Sequence, residues 1–224
     1  MKAACYCATR NLYYALRAPI NSLLANSDVE RVFLLIEDDA LPYPLPSCVT
    51  CVNVSGQRFF DPAGPNYNNG WTWMSLMRTA LHRVFPDLDR ILSLDVDTIV
   101  VQDISNLWDV SLDGYWLAAV PEPKRSLESM YINAGVMLLN LQQLRFDGKG
   151  DELIKTMNRK PYDYCDQDCI GELCRGGILE IPSAYNVNAF TGPTAVQKIV
   201  HYAAIPWWQT EKLVELWRDR PWAR

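Results

Sequence analysis

Residues 90–101 read RILSLDVDTIVV, with two carboxylates one residue apart inside an apolar run. In an extended strand residues i and i+2 share a face, so Asp95 and Asp97 are expected side by side at the mouth of a hydrophobic layer. Like charges that close repel, more strongly as water is withdrawn, and an uncompensated buried charge costs roughly 3 to 5 kcal/mol. One acid is explained by a turn; two call for a cation. A hard divalent ion, Mn²⁺ or Mg²⁺, suits carboxylate oxygens presented together. In open α/β sheets ligands also gather at the carboxyl ends of strands.

Two enzyme chemistries use Asp-x-Asp at a strand end. In a phosphatase of the haloacid dehalogenase type the first Asp attacks phosphorus and the second serves as acid and base, and DVDTIV matches that D-x-D-x-T pattern. In a nucleotide-sugar transferase both acids hold a metal against the donor's diphosphate. The phosphatase pattern normally sits on the first strand, whereas here 94 residues precede Asp95.

The surrounding runs must supply elements that present these acids. KAACYCA is a short apolar first strand, and Leu16, Ile20, Leu23 and Leu24 follow at helical spacing, with Pro19 setting the helix start near Ala18. RVFLLIE and SCVTCVNV are further strands, DPAGPNYNNG a loop, and WTWMSLMRTALHRVF a helix closed by Pro86. Downstream, YWLAAVPE and INAGVMLLNL read as strands, DGKGDELIKTMNRK as a linker and helix, and DQDCIGELCRG as a helix. GILEIPSAYNVN and KIVHYAA are short late strands before a tail that begins as a helix. This alternation defines an α/β domain. On the residues alone His201 is a core histidine ending KIVH, His82 is structural, and Arg78 is a cation among Leu76, Met77 and Ala80.

At 224 residues, with 49% hydrophobic and 21% charged residues, the chain is long enough for a sizeable core. Its net charge of −5 argues against nucleic acid as a partner. Seven cysteines, an odd number, and an apolar stretch in MKAACYCATR too short for a signal peptide are read as reduced thiols and a cytoplasmic setting. Cys48 and Cys51 form C-x-x-C and Cys165, Cys169 and Cys174 cluster later, so zinc is considered, although the second group lacks ligand-pair spacing. No apolar run reaches the roughly 18 residues of a membrane span.

Five landmarks in order resemble glycosyltransferase family 8, the glycogenin and lipopolysaccharide galactosyltransferase group. They are ATRNLY, FPDLDRILSLDVDTIV, YINAGVMLLNL, DYCDQD and IVHYAAIPW. The resemblance implies a GT-A fold, Rossmann-like with a mixed central sheet flanked by helices, as one domain over 1–224 with a short helical tail from about 207. It implies retaining transfer of a hexose from a UDP-sugar to a glycan or glycoconjugate acceptor. The cation, Mn²⁺ or Mg²⁺, would be held by Asp95, Asp97 and His201. Ala8, Thr9, Arg10, Tyr13 and Val96 would meet the nucleotide, with Tyr13 stacking on uracil. Arg78, Asn133, Ala134 and Asp163 would meet the sugar or diphosphate, and Gln167 with Asp166 would be catalytic.

The chain departs from the family's H-x-x-G-x-x-K-P-W, because HYAAIPWW is two residues shorter and has Ile205 before the proline. That removes a phosphate-binding cation, a role left to Lys198 or Lys212. A UDP-binding module without turnover is the alternative this departure raises. The tail WWQTEKLVELWRDRPWAR mixes Trp with Arg, so it either rests on the inner membrane surface or packs as a capping helix.

Overall fold

The computed structural model describes residues 1–68, 72–122, 131–191 and 194–223. The apolar runs become β1 (Ala3–Cys7), β2 (Arg31–Ile36), β3 (Val49–Asn53), β4 (Arg90–Leu94), β5 (Thr98–Val100), β6 (Leu117–Pro121), β7 (Ile132–Asn140), β8 (Ile178–Glu180) and β9 (Ile199–His201). The helices are α1 (Arg17–Ala25), α2 (Leu81–Val84), α3 (Leu141–Phe146), α4 (Lys149–Met157), α5 (Cys165–Leu173) and α6 (Lys212–Asp219).

Seven strands form one sheet in the order β3-β2-β1-β4-β7-β6-β8. It is mixed: β1, β2, β3 and β4 run parallel, β7 is antiparallel to both β4 and β6, and β8 is parallel to β6. Successive side chains feed opposite layers. Ala4, Tyr6, Leu92 and Leu94 pack with Ile20, Leu23 and Leu24 of α1. Ala3, Cys5 and Ile91 pack with Leu81, Leu141, Leu153 and Ile170 on the other face. Covering both faces is what lets these strands be apolar nearly throughout.

The chain runs from β1 outward through β2 and β3, then returns on the other side of β1 as β4. Such a reversal opens a crevice at the carboxyl ends of the two central strands. The turn carrying both acids follows β4 at that crevice.

Two expectations are corrected. Residues 89–101 are not one strand: β4 ends at Leu94, and β5 belongs to a separate two-stranded sheet with β9. The break is a tight turn in which the Thr98 amide and hydroxyl both donate to the Asp95 carbonyl, at 3.2 and 2.7 Å. The segment expected as a helix over 71–85 is mostly 3₁₀, Trp73–Ala80, followed by the short α2. There Arg78 Nε and Thr79 Oγ1 donate to the carbonyls of Ser75 and Leu76, three residues back, so side chains compete for backbone acceptors. Asn69 and Gly70 of the expected loop, and Trp71 at the expected helix start, lie outside the described residues.

The tail takes one of its two expected placements. After a 3₁₀ turn at Trp208–Thr210, α6 docks on α1, burying Trp208 and Val214 against Ala15, Ala18 and Ile99. Asn21 Nδ2 donates to the carbonyls of Trp217 and Pro221, each at 3.0 Å, and Asn21 Oδ1 accepts from the Ala223 amide at 2.9 Å. The tail is therefore a capping element; its last residue, Arg224, is outside the described residues. Among the described residues no helix is long and apolar enough to cross a membrane.

Candidate active site

β5 pairs with β9 so that Thr98 lies opposite His201, and the Asp97 carbonyl accepts from the Tyr202 amide at 3.0 Å. This small sheet carries the imidazole to the acids. His201 Nε2 lies 3.2 Å from Asp97 Oδ1 and 3.7 Å from Asp95 Oδ2. One ligand atom from each of Asp95, Asp97 and His201 falls within 4.8 Å of the others. The acids meet through a turn, not through strand alternation. Burial raises the Asp97 carboxyl, but the neighbouring His201 more than offsets this and holds it below the usual carboxylate range. Burial likewise disfavours a charged His201, and Asp97 and Asp95 outweigh it, leaving the imidazole above its ordinary value.

β7 supplies the floor. Its register against β6 jumps between Ala119 and Val120, where Ala119 faces Met137 and Val120 faces Asn133. Residues 134–136 are extra on this strand, Ala134 and Gly135 among them line the cleft, and the Gly135 carbonyl accepts from the Asp95 amide at 2.8 Å. A methyl group on Gly135 would sit 2.2 Å from His201 Cε1, so only glycine lets the ring lie flat on this strand.

Arg78, on the 3₁₀ segment, donates to Asp95 Oδ1 and to the Ala134 carbonyl, both at 2.5 Å. Its Nε is 3.0 Å from Asp166 Oδ2, yet that N–H is directed at the Ser75 carbonyl, so the contact is an ion pair without an aligned hydrogen bond. Burial opposes the Arg78 charge; Asp166 and Asp95 overcome it and keep the guanidinium firmly protonated. Asp166 is 5% exposed, and burial pushes its carboxyl up to about 6, against the pull of Arg78 and with the help of Asp95.

Gln167 is held at both ends of its amide: Oε1 accepts from the Ala134 amide and Nε2 donates to the Tyr131 hydroxyl, each at 3.0 Å. Asp166 and Gln167 sit at the start of α5, which opens with Cys165 at φ 48°. Ala204 is at φ 62°, and the two are the non-glycine residues with positive φ among those described. Left-handed backbone costs a non-glycine residue roughly 1 to 2 kcal/mol, and here both instances border the site.

These groups line one cleft of about 150 Å³. Of the residues expected from sequence, it gathers Asp95, Asp97, His201, Arg78, Asn133, Ala134, Asp166 and Gln167. Sequence reasoning missed Ser75, Glu122, Tyr164, Phe190 and Ala203, which also line it. Glu122 ends the apolar run YWLAAVPE, a pattern like the one that drew attention to Asp95, and that was the available signal.

The remaining expected residues do not line this cleft. Ala8 and Thr9 follow β1, with the Ala8 amide donating to the Leu35 carbonyl at 3.0 Å and Thr9 Oγ1 to Asn11 at 2.6 Å. Arg10 forms a two-pronged pair with Asp38. Tyr13 is 6% exposed, its ring in the core and its hydroxyl between Asp38 and the Glu37 amide, so it presents no open face for stacking. Val96, at the tip of the acid turn, packs half-buried on the α1 side. Asp163 is exposed on the turn before α5. Neither Lys198 nor Lys212 lines the cleft; Lys198 donates to the Asp103 carbonyl at 2.8 Å. The seven cysteines are free, with Cys48 and Cys51 packing on one face of the sheet and Cys165, Cys169 and Cys174 on the other, so they build no common site.

A mixed sheet with an Asp-x-Asp turn at its central crevice is the arrangement of GT-A glycosyltransferases, and solved structures of that class superpose on it. Glycosyltransferase GlyE of Streptococcus pneumoniae matches with a TM-score of 0.74 at 19% identity, covering 99% of this chain and 61% of its own. Galactosyltransferase LgtC in complex with donor and acceptor sugar analogues matches with a TM-score of 0.68 at 22% identity, covering 90% and 87%.

The sequence narrows the class: residues 5–208 match the model of glycosyl transferase family 8, and the chain belongs to that family. Among relatives, general stress protein A of Bacillus subtilis is 24% identical over 82% of this chain and 73% of its own. Lipopolysaccharide 1,2-glucosyltransferase of Escherichia coli is 32% identical over 44% and 33%. A glycosyltransferase-like protein of Haemophilus influenzae is 24% identical over 49% of this chain, and the match spans 37% of that relative's length. Family membership leaves the phosphatase alternative without support, since the acid pair follows the fourth strand of a GT-A sheet.

Proposed function

We propose that the chain is a retaining hexosyltransferase that moves a hexose from a UDP-sugar to a glycan or glycoconjugate acceptor. The observation that carries this reading is the convergence of Asp95, Asp97 and His201 within 4.8 Å on a cleft shared with Arg78, Asn133, Ala134, Asp166 and Gln167. Two carboxylate oxygens and an imidazole nitrogen are a donor set that Mn²⁺ accepts, with Mg²⁺ the second choice. When bound, such a cation supplies positive charge to the diphosphate leaving group as the anomeric bond breaks.

The chain's own residues do the rest. Arg78, kept charged, offsets the carboxylates of the cleft and braces Asp95. Asn133 and Ala134 form the wall for the donor sugar. Gln167, fixed from both ends, stands on the sugar's free face, and Asp166 offers a carboxyl to a sugar hydroxyl. The reading is front-face transfer assisted by Gln167, without a covalent glycosyl intermediate. Ala8, Thr9, Arg10 and Val96 border the crevice at the ends of β1 and β4, where the nucleotide is assigned.

The test is melting of wild type and Asp97→Asn with UDP, with and without Mn²⁺. Ligand at about 100 times its Kd stabilises by about 2.7 kcal/mol, which moves Tm by roughly 5 to 10 °C in a chain of this size. The expected result is a shift for wild type with both ligands and none for Asp97→Asn. No shift for either protein overturns the reading. One observation favours a UDP-binding module instead: Arg78 is the one lysine or arginine among the described residues that line the cleft. Release of free hexose from UDP-sugars by wild type separates turnover from binding.

A further inference from the structure

We propose that Asn186 is a positioning residue that fixes His201 in the tautomer whose Nε2 lone pair faces Asp95 and Asp97, through a relay anchored at the Gly135 backbone amide. The inference rests on the divalent-cation reading of this site.

Amide and imidazole side chains do not by themselves reveal which atom donates. A backbone N–H can only donate. The Gly135 amide donates to one side-chain atom of Asn133 at 3.0 Å, which identifies that atom as the oxygen Oδ1. The other, Nδ2, then donates to Glu122 Oε1 at 2.7 Å, as a carboxylate requires. The same Asn133 Oδ1 receives Asn186 Nδ2 at 2.8 Å, and this turns the Asn186 amide so that its oxygen points away. That oxygen lies 2.9 Å from His201 Nδ1. An amide oxygen only accepts, so Nδ1 carries the hydrogen. Nε2, bare of hydrogen in the neutral ring, is left facing Asp97 and Asp95 at 3.2 and 3.7 Å. Asn188 Nδ2 also donates to Asn186 Oδ1, at 3.0 Å, and agrees with this direction.

The relay has no easy substitute. Asn186 is 0% exposed, Asn133 and His201 5%, and Glu122 2%. Water cannot readily replace a lost partner at that depth, and an orphaned buried polar group costs roughly 1 to 3 kcal/mol. A ring nitrogen bound by a carbonyl on one side is what orients a metal-ligating imidazole on the other, and loss of such a partner typically weakens metal binding 10- to 100-fold. Asn133 belongs to the proposed sugar wall, so one amide joins the donor's sugar to its cation.

The chain has two histidines, which makes the test direct. Long-range proton–nitrogen correlations on ¹⁵N-histidine-labelled protein at alkaline pH report each tautomer, and His201→Gln identifies the His201 signals by their loss. Mn²⁺ affinity is measured by calorimetry on the donor-free protein. Wild type is expected to show a single His201 tautomer protonated at Nδ1. Asn186→Ala should mix the tautomers and weaken Mn²⁺ binding about 10- to 100-fold. Asn186→Asp keeps an acceptor for Nδ1 but gives up the donation to Asn133 Oδ1, so it should retain the Nδ1-protonated tautomer. A wild-type His201 protonated at Nε2, or Asn186→Ala with wild-type tautomer and affinity, overturns the proposal. If wild type binds no Mn²⁺, the cation reading fails while the tautomer still decides the relay. If Asn186→Ala does not fold, the tautomers of wild type and Asn186→Asp decide it.

Discussion

Asp166 carries its cost openly. Its carboxyl is pushed up to about 6, chiefly by burial, while Arg78 pulls the other way and Asp95 adds to the rise. An acid with a raised native value holds its proton longer when folded than when unfolded, so stability falls as pH rises from about 4 to about 6 and is flat above that. At neutral pH the buried charge costs the free protein about 3 kcal/mol. Asp166→Asn is therefore expected to be more stable than wild type at about pH 8 and equal to it near pH 4, by denaturant unfolding at both values. Equal stabilities at both would show that Arg78 compensates the charge fully. A residue kept ionised against its own stability is the trade expected of a functional group.

The same scale shows what sequence could and could not give. Asp95, Asp97 and Gln167 stand out because charge or amide interrupts an apolar rhythm, or because five landmarks occur in order. Asn186 does not, since an asparagine in PSAYNVNAF has the signature of a turn former. Its role depends on which amide atom faces which neighbour, and that is set by strands far apart in the chain. The placement of Tyr13 is hidden for a similar reason. Its exposed neighbour Tyr14, at 70%, and the buried Tyr13 are indistinguishable by type, and the turn at Arg10–Leu12 decides which ring enters the core.

At the scale of elements, the strands were legible and their interruptions were not. Apolar runs covered on both faces announce β1, β2, β4 and β7, whereas the break after Leu94 and the bulge in β7 depend on hydrogen bonds from other strands. Gly135 sits where these features meet. Its missing side chain is occupied by the His201 imidazole, whose Cε1 would lie 2.2 Å from an added methyl. Gly135→Ala must displace the ring or bend the strand, and overpacking of this kind costs roughly 1 to 3 kcal/mol. The expected outcome is a lower Tm with native far-UV dichroism and no calorimetric response to Mn²⁺. A variant that binds Mn²⁺ as wild type does would mean that the ring moves aside without loss of the site.

Across the whole molecule, the tail illustrates a property that composition left open. Tryptophan and arginine mixed in one segment suited a lipid surface or a packed cap. Packing settles the matter for Trp208 and Val214, which are buried against α1, while Trp207 and Leu216 remain exposed. Asn21, an amide inside a helix that reads as ordinary, is the clasp.

The separation of β5 and β9 from the large sheet has a mechanical consequence. Asp95 is fixed to the end of β4, His201 to the end of β9, and Asp97 lies between them on the connecting turn. A cation gripping all three would act as a rivet across the seam between two sheets. Local opening of the smaller sheet, three residues per strand, would then require the rivet to release. Hydrogen exchange at the His201 and Tyr202 amides, bonded to Val187 and Asp97, should slow about 100-fold with Mn²⁺ at 100 times its Kd. The β2 amides should be unchanged. If Mn²⁺ binds and exchange at the seam does not slow, the two sheets move as one even without it. If it does slow, the small sheet is a flap whose resting looseness lets a charged ligand in and whose fastening holds it through the reaction.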